Sequence, residues 1–169
     1  YTQDFSSGLP TDGWEYYSDT AEGRIQVVDG KLRMDDIGNP GVYTLNEAIL
    51  HLDLTGKSNV TLTLDHTSLG DEITALPVNF SGHYKGDGIA LSVDGINWIT
   101  ITSLTTSFTA QSFNLDSIIA LAKTAAGSTD VSNVRIKFQQ YDDDAAPNDG
   151  REFDNIKVTA GITLPYTQD

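Results

Sequence analysis

The chain has 169 residues, which is enough for one all-β domain with its own core but short for two. Asp and Glu number 24 and Lys and Arg number 10, so the formal net charge is -14 and the isoelectric point is about 4.3. A surface this acidic repels phosphate backbones and anionic lipids, so nucleic acid is not an expected partner. Carboxylate oxygens are the ligands that Ca²⁺ prefers, and calcium is therefore the predicted structural cofactor.

No run of roughly 18 apolar residues occurs, and the first residues are neither basic nor apolar. We therefore expect no direct membrane insertion, and we expect any export signal to lie outside these residues. Cysteine is absent, as it is from many bacterial secreted proteins. These features predict an extracellular or cell-surface location, with a bacterial source.

The first four residues, Tyr-Thr-Gln-Asp, recur as residues 166–169, and Gly161 to Pro165 has the composition of a short linker. This recurrence predicts a repeat unit over residues 1–160, with 161–169 as a linker and the start of the next tandem repeat. An engineered scar or a coincidence is the alternative explanation.

Two Asp-Gly pairs flanked by alternating apolar residues predict two-residue hairpin turns at Asp29-Gly30 and Asp94-Gly95. In the second hairpin we expect Leu91 opposite Trp98, which places Trp98 in the core rather than on a ligand platform. In the first hairpin the expected cross-strand pairs are Val27 with Leu32 and Ile25 with Met34.

Three further segments alternate apolar and polar residues with a period of two, which is typical of half-buried strands. Their apolar residues are Ala48, Leu50, Leu52 and Leu54, then Val60, Leu62 and Leu64, then Val134, Ile136 and Phe138. The polar residues between them, including Arg135, Lys137 and Gln139, are expected to face solvent. A helix is predicted over Asp116–Ala126 and a last strand over Glu152–Thr159. Together these elements predict an all-β fold, an antiparallel β-sandwich of jelly-roll type with one short helix.

Three short motifs in the same order along the chain carry a family resemblance. The first is Asp4-Phe5 followed by Gly8-Leu9-Pro10 and Trp14. The second is Gly86 to Gly95 together with Trp98, and the third is Phe153 to Val158. Together they resemble concanavalin A/laminin-G-like jelly-roll repeats of MAM and reelin type, carbohydrate-binding modules, and the repeats of very large bacterial surface proteins. The resemblance implies a structural calcium ion between the first and last strands, held by Asp4 and Asp154.

The residues themselves give a separate reason to consider Asp154 as a metal ligand. Its position in the strand period puts it on the same side as Ile156 and Val158, which is the side expected to face the core. A buried carboxylate requires a cation, a basic partner or water at the sheet end. Asp36, after the first hairpin, is a further candidate ligand. The alternative for each is an ordinary hydrogen-bonded aspartate.

A second acidic group falls in two loops. Asp71 and Glu72 lie in a long loop from about Thr67 to Asp87, and loops of that length are functional, tied down or disordered. The candidate metal ligands here are Asp71, Glu72, Asp87, Asp142 and Asp149, with Asp143 and Asp144 as alternatives in the loop before the last strand. A solvated acidic loop without an ion is the alternative.

Aromatic rings are platforms for sugar rings when they are exposed, and the candidates are Tyr16, Tyr17, Tyr84 and Tyr141. Cross-strand packing is the alternative use of the same side chains. The three histidines, His51, His66 and His83, show no ligand spacing, and no nucleophile elbow or phosphate loop occurs. The chain is therefore predicted not to be an enzyme.

Two functions from different classes follow from these observations. The first is an extracellular, calcium-stabilised repeat of a surface, adhesion or fibre-forming protein, whose partners are the neighbouring repeats. The alternative is a carbohydrate-binding module attached to a polysaccharide-active protein, whose partner is a polysaccharide.

Overall fold

The computed structural model describes residues 1–38, 41–70, 73–146 and 148–162. Within them the chain forms twelve strands and one helix. The elements are β1 (Thr2–Gln3), β2 (Trp14–Ser18), β3 (Gly23–Val28), β4 (Lys31–Asp36), β5 (Thr44–Leu52), β6 (Lys57–Ser68), β7 (Asn79–Ser81), β8 (Gly88–Ser92), β9 (Asn97–Ser103), β10 (Phe108–Asn114), α1 (Asp116–Ala126), β11 (Val134–Asp142) and β12 (Arg151–Ile162).

The strands form two antiparallel sheets that pack face to face. The first sheet has the order β10-β6-β12-β4-β3, with β1 also paired to β12, and the second has the order β2-β5-β11-β8-β9-β7. Apart from the consecutive pairs β3–β4 and β8–β9, neighbouring strands are not consecutive in the chain, as expected of Greek-key connections. The predicted all-β antiparallel sandwich of jelly-roll type, with one short helix, is confirmed.

The main core lies between the two sheets and contains the inward residues of β5, β6 and β11, as their period of two predicts. Phe138 from the second sheet meets Phe153 from the first with ring centroids 5.5 Å apart, and Trp14 stacks on Phe138 at 5.8 Å. Each such fully buried side chain contributes roughly 1.5–3 kcal/mol. Helix α1 buries Ile119 and Ala122 against this core, and its bounds match the prediction.

The first predicted hairpin is confirmed, because β3 and β4 pair Val27 with Leu32 and Ile25 with Met34. The last strand runs from Arg151 to Ile162, slightly beyond the predicted Glu152–Thr159 at each end. Residues 161–162 pair with β6 as part of that strand. The rest of the predicted linker and next repeat, residues 163–169, lies outside the described residues.

The second predicted hairpin has a different register. Its turn has four residues rather than two, because the Asp94 carboxylate accepts the Ile96 N–H at 2.8 Å and holds a wider loop. Leu91 consequently pairs with Ile99, so Trp98 lies on the opposite face of the sheet from Leu91. The predicted pair of Leu91 with Trp98 is wrong, although Trp98 is buried as expected.

The outer face of the second sheet is the face that points away from the main core, and residues 73–87 cross part of it. We name residues 73–87 the covering segment. Lys137 Nζ donates to the Gly82 carbonyl at 3.0 Å, and Gln139 Nε2 donates to the carbonyls of Tyr84 and Gly86 at 2.7 Å. Both side chains are buried, so the prediction that they face solvent is wrong. Their strand alternates as predicted, but the covering segment forms a second layer over these two side chains.

A buried ion pair fixes the end of the covering segment. Asp87 Oδ1 accepts from Arg151 Nε at 3.1 Å and from the Tyr141 N–H at 2.9 Å, while Oδ2 accepts from the Thr74 N–H at 3.0 Å. Burial raises the pKa of the Asp87 carboxyl, and the Arg151 guanidinium opposes that rise. Arg151 begins β12 in the first sheet, so this carboxylate ties the covering segment to both sheets. Asp87 is a predicted metal ligand, but its donors give it a structural role.

Replacing Asp87 with Asn should lower the free energy of unfolding by about 3–5 kcal/mol, because it removes a carboxylate that pairs with a fully buried guanidinium. Urea unfolding measures this change. Asp12→Asn, at an exposed position, should stay within about 0.5 kcal/mol of the parent chain. Adding Arg151→Met to Asp87→Asn should cost little more than Asp87→Asn alone, and strictly additive losses would show that the two charges do not interact.

Candidate functional site

Exposed tyrosines gather on the outer face of the second sheet. Tyr17 on β2 is 37% exposed and Tyr84 in the covering segment is 40% exposed, while Tyr141 on β11 is partly buried. Tyr43, just before β5, is 44% exposed, and its ring centroid lies 5.4 Å from that of Tyr141. We name these four side chains the tyrosine surface. Three of the four tyrosines predicted from the sequence therefore belong to this surface, and Tyr43 adds a fourth ring that contacts Tyr141.

The covering segment connects the two ends of the tyrosine surface. The His83 ring stacks on Tyr17 with centroids 4.0 Å apart, and Tyr84 follows His83 directly in the chain. Two residues after His83, Lys85 places its Nζ 5.5 Å from the centre of the Tyr141 ring, where a cation–π contact is favourable. The Lys85 ammonium also lies 3.7 Å from the Asp19 carboxylate. The rings are thus held by side chains rather than left free in solvent.

Buried charges anchor this arrangement from below. Glu47 is fully buried and accepts from Lys137 Nζ at 2.8 Å, and its other oxygen lies 2.8 Å from His83 Nδ1. The Lys137 ammonium lies 4.1 Å from the centre of the Trp98 ring. Burial lowers the pKa of Lys137, and the Glu47 carboxylate opposes that effect. The pair therefore holds His83, and through it Tyr17, in one position.

A groove of about 240 Å³ adjoins the tyrosine surface and is lined in part by His83, whose ring stacks on Tyr17. Its rim carries Glu15, Arg135 and His83, and its floor is formed by Ile49 and Trp98. Aromatic faces for stacking and charged groups for hydrogen bonding thus occur side by side. Such a combination is suited to a ligand that has both apolar ring faces and hydroxyl groups.

A second groove of about 260 Å³ lies on the first sheet. It is lined by Asp65, Glu152 and Asp154 together with Lys31, and its aromatic side chains are Phe108 and Phe153. Phe153 is fully buried in the core, so this groove offers little aromatic surface for a flat ring. The acidic lining makes it a less suitable site for a sugar polymer than the tyrosine surface.

Tyr16 is not brought together with the other predicted tyrosines. It lies on the opposite side of β2, packed against the main core, and stacks on Trp14 with ring centroids 6.2 Å apart. Its hydroxyl donates to the Pro10 carbonyl at 2.8 Å. Burial raises the Tyr16 pKa to about 12. We assign it the packing role that the sequence analysis kept as the alternative.

Among the predicted metal ligands, Asp142 and Asp149 converge. With Asp143 they form a group of three carboxylates whose oxygen atoms lie within 4.8 Å of one another. Burial, and next the Asp149 carboxyl, raise the pKa of Asp142 to about 8. Asp36 is buried nearby, where its carboxylate accepts from the Gly38 N–H and the Thr44 hydroxyl. Asp71 and Glu72 lie outside the described residues.

The expectation that Asp154 faces the core is wrong. A bulge at Asn155, whose φ is +50°, shifts the register, so that Asp154 pairs with Asp65 and is only partly buried. Phe153 occupies the core position, and Ile156 returns to the core after the bulge. One extra residue thus reverses the side on which the carboxylate lies.

The first and last strands do meet, as the resemblance implies, because β1 pairs with β12. Asp4, just after β1, is exposed, and its carboxylate accepts from the Ser6 N–H and hydroxyl, which lower its pKa. In the described part of the chain, neither Asp4 nor Asp154 belongs to a group of three close acidic side chains. A calcium ion between these two residues stays a prediction.

The three histidines do not come together. His51 lies near Asn133 and Glu15, His83 bonds to Glu47, and His66 is buried between the rings of Phe108 and Phe153. His66 Nδ1 lies 3.1 Å from the Thr106 carbonyl, and Nε2 lies 3.4 Å from the Arg151 guanidinium. Burial, and then the nearby Arg151 charge, lower the pKa of His66 to about 4. The imidazole is therefore neutral in the folded protein at pH 7.

The neutral His66 makes stability depend on pH in a defined window. The unfolded chain protonates this histidine below pH 6.5, whereas the folded chain resists protonation down to about pH 4. The unfolded state then binds more protons, so stability falls as the pH falls between these values. His66→Asn should remove about 2–3 kcal/mol of the loss measured between pH 7 and pH 4.5. Urea unfolding of both proteins at the two pH values tests this, and an equal loss in both would contradict it.

Sequence reasoning missed two contributors to these sites. Tyr43 was not a candidate, although a tyrosine that directly precedes a strand rich in polar residues was a usable signal. The pairing of Glu47 with Lys137 depends on strands that are far apart in sequence. Asp143 was an alternative candidate ligand, and the loop conformation shows that it lies close to Asp142 and Asp149. Within the described residues, no helix has the length and apolar character needed to cross a bilayer.

No protein-family model matches the chain, and no curated protein matches it. Among solved structures, it is similar to the family 11 carbohydrate-binding module of the cellulosomal cellulase Lic26A-Cel5E of Clostridium thermocellum. The TM-score is 0.50 at 16% sequence identity, over 94% of this chain and 92% of that one. At this identity the likeness shows a shared fold. The jelly-roll part of the family resemblance is confirmed, and its MAM and reelin part stays a prediction.

The chain is also similar to the xyloglucanase domain of NopAA, a type three effector from Sinorhizobium fredii, solved in complex with cellobiose. That TM-score is 0.46 at 13% identity, over 91% of this chain and 97% of that one.

Proposed function

We propose that the chain is a carbohydrate-binding module that holds a polysaccharide on the tyrosine surface. The observation that carries this proposal is the group of exposed rings, Tyr17, Tyr84 and Tyr43, with the partly buried Tyr141, on one face of a jelly roll. Aromatic faces provide apolar contact to the flat side of a sugar ring at little cost in side-chain entropy. The similarity to a carbohydrate-binding module supports the choice of fold for this role.

The rings are rigid before any ligand arrives, which favours affinity. Tyr17 is stacked on His83, and His83 is held by the buried Glu47, so little conformational freedom is lost on binding. Tyr141 is held between Tyr43 and the ammonium of Lys85. The charged rim groups at the adjoining groove hydrogen-bond the hydroxyl groups of a sugar chain.

The charge of the protein selects the class of polysaccharide. With a formal net charge of -14, the chain repels an anionic polymer such as a uronic-acid polysaccharide. The proposed ligand is therefore a neutral polysaccharide. The proposed role is binding without catalysis, in an extracellular bacterial protein in which the module attaches a polysaccharide-active partner to its substrate.

One observation favours the tandem array as a second candidate function. The recurring tetrapeptide contains β1, and Tyr1 exchanges backbone hydrogen bonds with Val158 while its hydroxyl accepts from Trp14 Nε1 at 2.5 Å. The repeated motif thus contains the residues that form the first strand of the fold. In a tandem array, its second copy would form the first strand of the next domain. Identical domains in series would suit an adhesive or fibre-forming protein and would also multiply weak sugar contacts.

Removing a tyrosine ring from the tyrosine surface should weaken sugar binding, whereas removing an exposed apolar side chain elsewhere should not. Tyr17→Ala and Tyr84→Ala should each weaken binding to a neutral polysaccharide about ten-fold, which corresponds to roughly 1.4 kcal/mol. Affinity electrophoresis in gels containing barley β-glucan, xyloglucan or xylan, with calorimetry on the one retained most strongly, measures the change. Leu121→Ala, an exposed apolar residue on α1, is the matched control and should bind as the parent chain does.

Two results would contradict the proposal. One is the absence of retardation of the parent chain by every neutral polysaccharide in the panel. The other is unchanged binding in both tyrosine variants, which would place the sugar site elsewhere. Stronger retention by an anionic polymer than by any neutral one would overturn the proposed ligand class.

A further inference from the structure

The three acids at the end of β11 form an unusual corner of the molecule. Asp142 ends β11, Asp143 follows it, and Asp149 lies just before β12. The loop between β11 and β12 folds back so that one oxygen from each carboxylate lies within 4.8 Å of the others. Three carboxyl groups thus face one small volume.

Two of these acids are buried. Asp142 is 1% exposed and Asp149 is 5% exposed, and both are among the described residues with the least access to solvent. Asp142 Oδ1 accepts the Asp143 N–H at 2.5 Å and Asp149 Oδ1 accepts the Gly150 N–H at 2.9 Å. Asp142 Oδ2 is buried and receives no hydrogen bond from any described residue. A buried carboxylate that lies against other carboxylates is strongly unfavourable unless a cation or a shared proton lies between them.

The described residues do not provide that positive charge. Ion pairs at other buried acids are explicit, since Asp35 pairs with Arg24 and Asp87 pairs with Arg151. Over the described ranges, no lysine, arginine or histidine forms an ion pair with Asp142, Asp143 or Asp149. These acids therefore differ from Asp35, Glu47, Asp87 and Glu152, the buried acids for which a basic partner is seen.

We propose that Asp142, Asp143 and Asp149 bind one divalent cation and that their oxygen-only ligand set selects Ca²⁺. Calcium takes six to eight oxygen ligands and combines carboxylates with backbone carbonyls and water. The site is distinct from the position between Asp4 and Asp154 that the family resemblance implies. It goes beyond the proposed sugar-binding function and does not depend on it.

The cation has a structural consequence that follows from the neighbouring contacts. Asp143 Oδ2 accepts the Gly41 N–H at 3.3 Å, and the Asp36 N–H donates to the Asp144 carbonyl at 3.2 Å. The acidic loop therefore touches the connection between β4 and β5. Binding of Ca²⁺ would fasten these two connections to each other at one end of the sandwich.

The direct test is calorimetric titration of the EDTA-treated, dialysed chain with CaCl2, with MgCl2 as the comparison and NaCl to hold the ionic strength constant. We expect one Ca²⁺ per chain, with Mg²⁺ bound at least ten-fold more weakly. Thermal unfolding should show a rise in the melting temperature with CaCl2 that equal ionic strength of NaCl does not reproduce. A chain that binds no Ca²⁺ at millimolar concentration would overturn the proposal.

Variants locate the ion. Asp142→Asn and the partly exposed Asp143→Asn should each lower Ca²⁺ affinity at least ten-fold, and Asp143→Asn guards against a failure of Asp142→Asn to fold. Asp12→Asn removes one charge at an exposed position, and Asp154→Asn removes the residue that the resemblance implies. Both controls should bind Ca²⁺ as the parent chain does.

Two outcomes of the variant series would reject the site. Loss of Ca²⁺ binding in Asp154→Asn with retention in Asp142→Asn would assign the ion to the first and last strands. Equal, small losses in all four variants would show only diffuse attraction to an acidic surface. Because polysaccharide is absent from these measurements, their failure is separate from any failure of the sugar-binding proposal.

Discussion

The buried ion pair between Asp87 and Arg151 is the interaction on which the rest of the structure depends. It joins the end of the covering segment to the first strand position of β12, and the Asp87 carboxylate also accepts the N–H groups of Thr74 and Tyr141. Two opposite charges without access to water tolerate little change in geometry, because a misplaced partner leaves an uncompensated charge. The pair therefore fixes the path of residues 73–87 over the second sheet, and that path decides what this face presents to solvent.

A second buried pair extends the same principle to the surface. Glu47 and Lys137 lie on neighbouring central strands and hold His83 and the Gly82 carbonyl from beneath. The exposed rings thus lie above a polar network in which both oxygens of the buried Glu47 have a partner. Rigid aromatic side chains above buried charges favour a binding surface that changes little when it meets its ligand. This explains how a fold that many unrelated functions share acquires a particular face in this chain.

The sequence was sufficient for the features that arise within one strand or one turn. Alternation of apolar residues predicted the inner faces of β5, β6 and β11, and the Asp29-Gly30 turn predicted the β3–β4 register. Features that depend on an added residue or on distant segments were not predictable. The bulge at Asn155 moved Asp154 out of the core, and the covering segment buried Lys137, although both strands were recognised. The candidate tyrosines and acids were predicted from their residue types. Which of them lie close together depends on the conformation of the loops, which the sequence pattern does not predict.

The central claim is that the tyrosine surface on the outer face of the second sheet is where the chain binds a neutral polysaccharide. The most direct measurement is a two-dimensional ¹H–¹⁵N NMR titration of the isotope-labelled chain with a soluble oligosaccharide of the polymer that it retains best. Chemical-shift changes should concentrate at Tyr17, Tyr84 and Tyr141 and in the part of the covering segment around Tyr84. Changes confined to the groove on the first sheet, around Asp65 and Phe108, or no changes at saturating sugar, would contradict the claim.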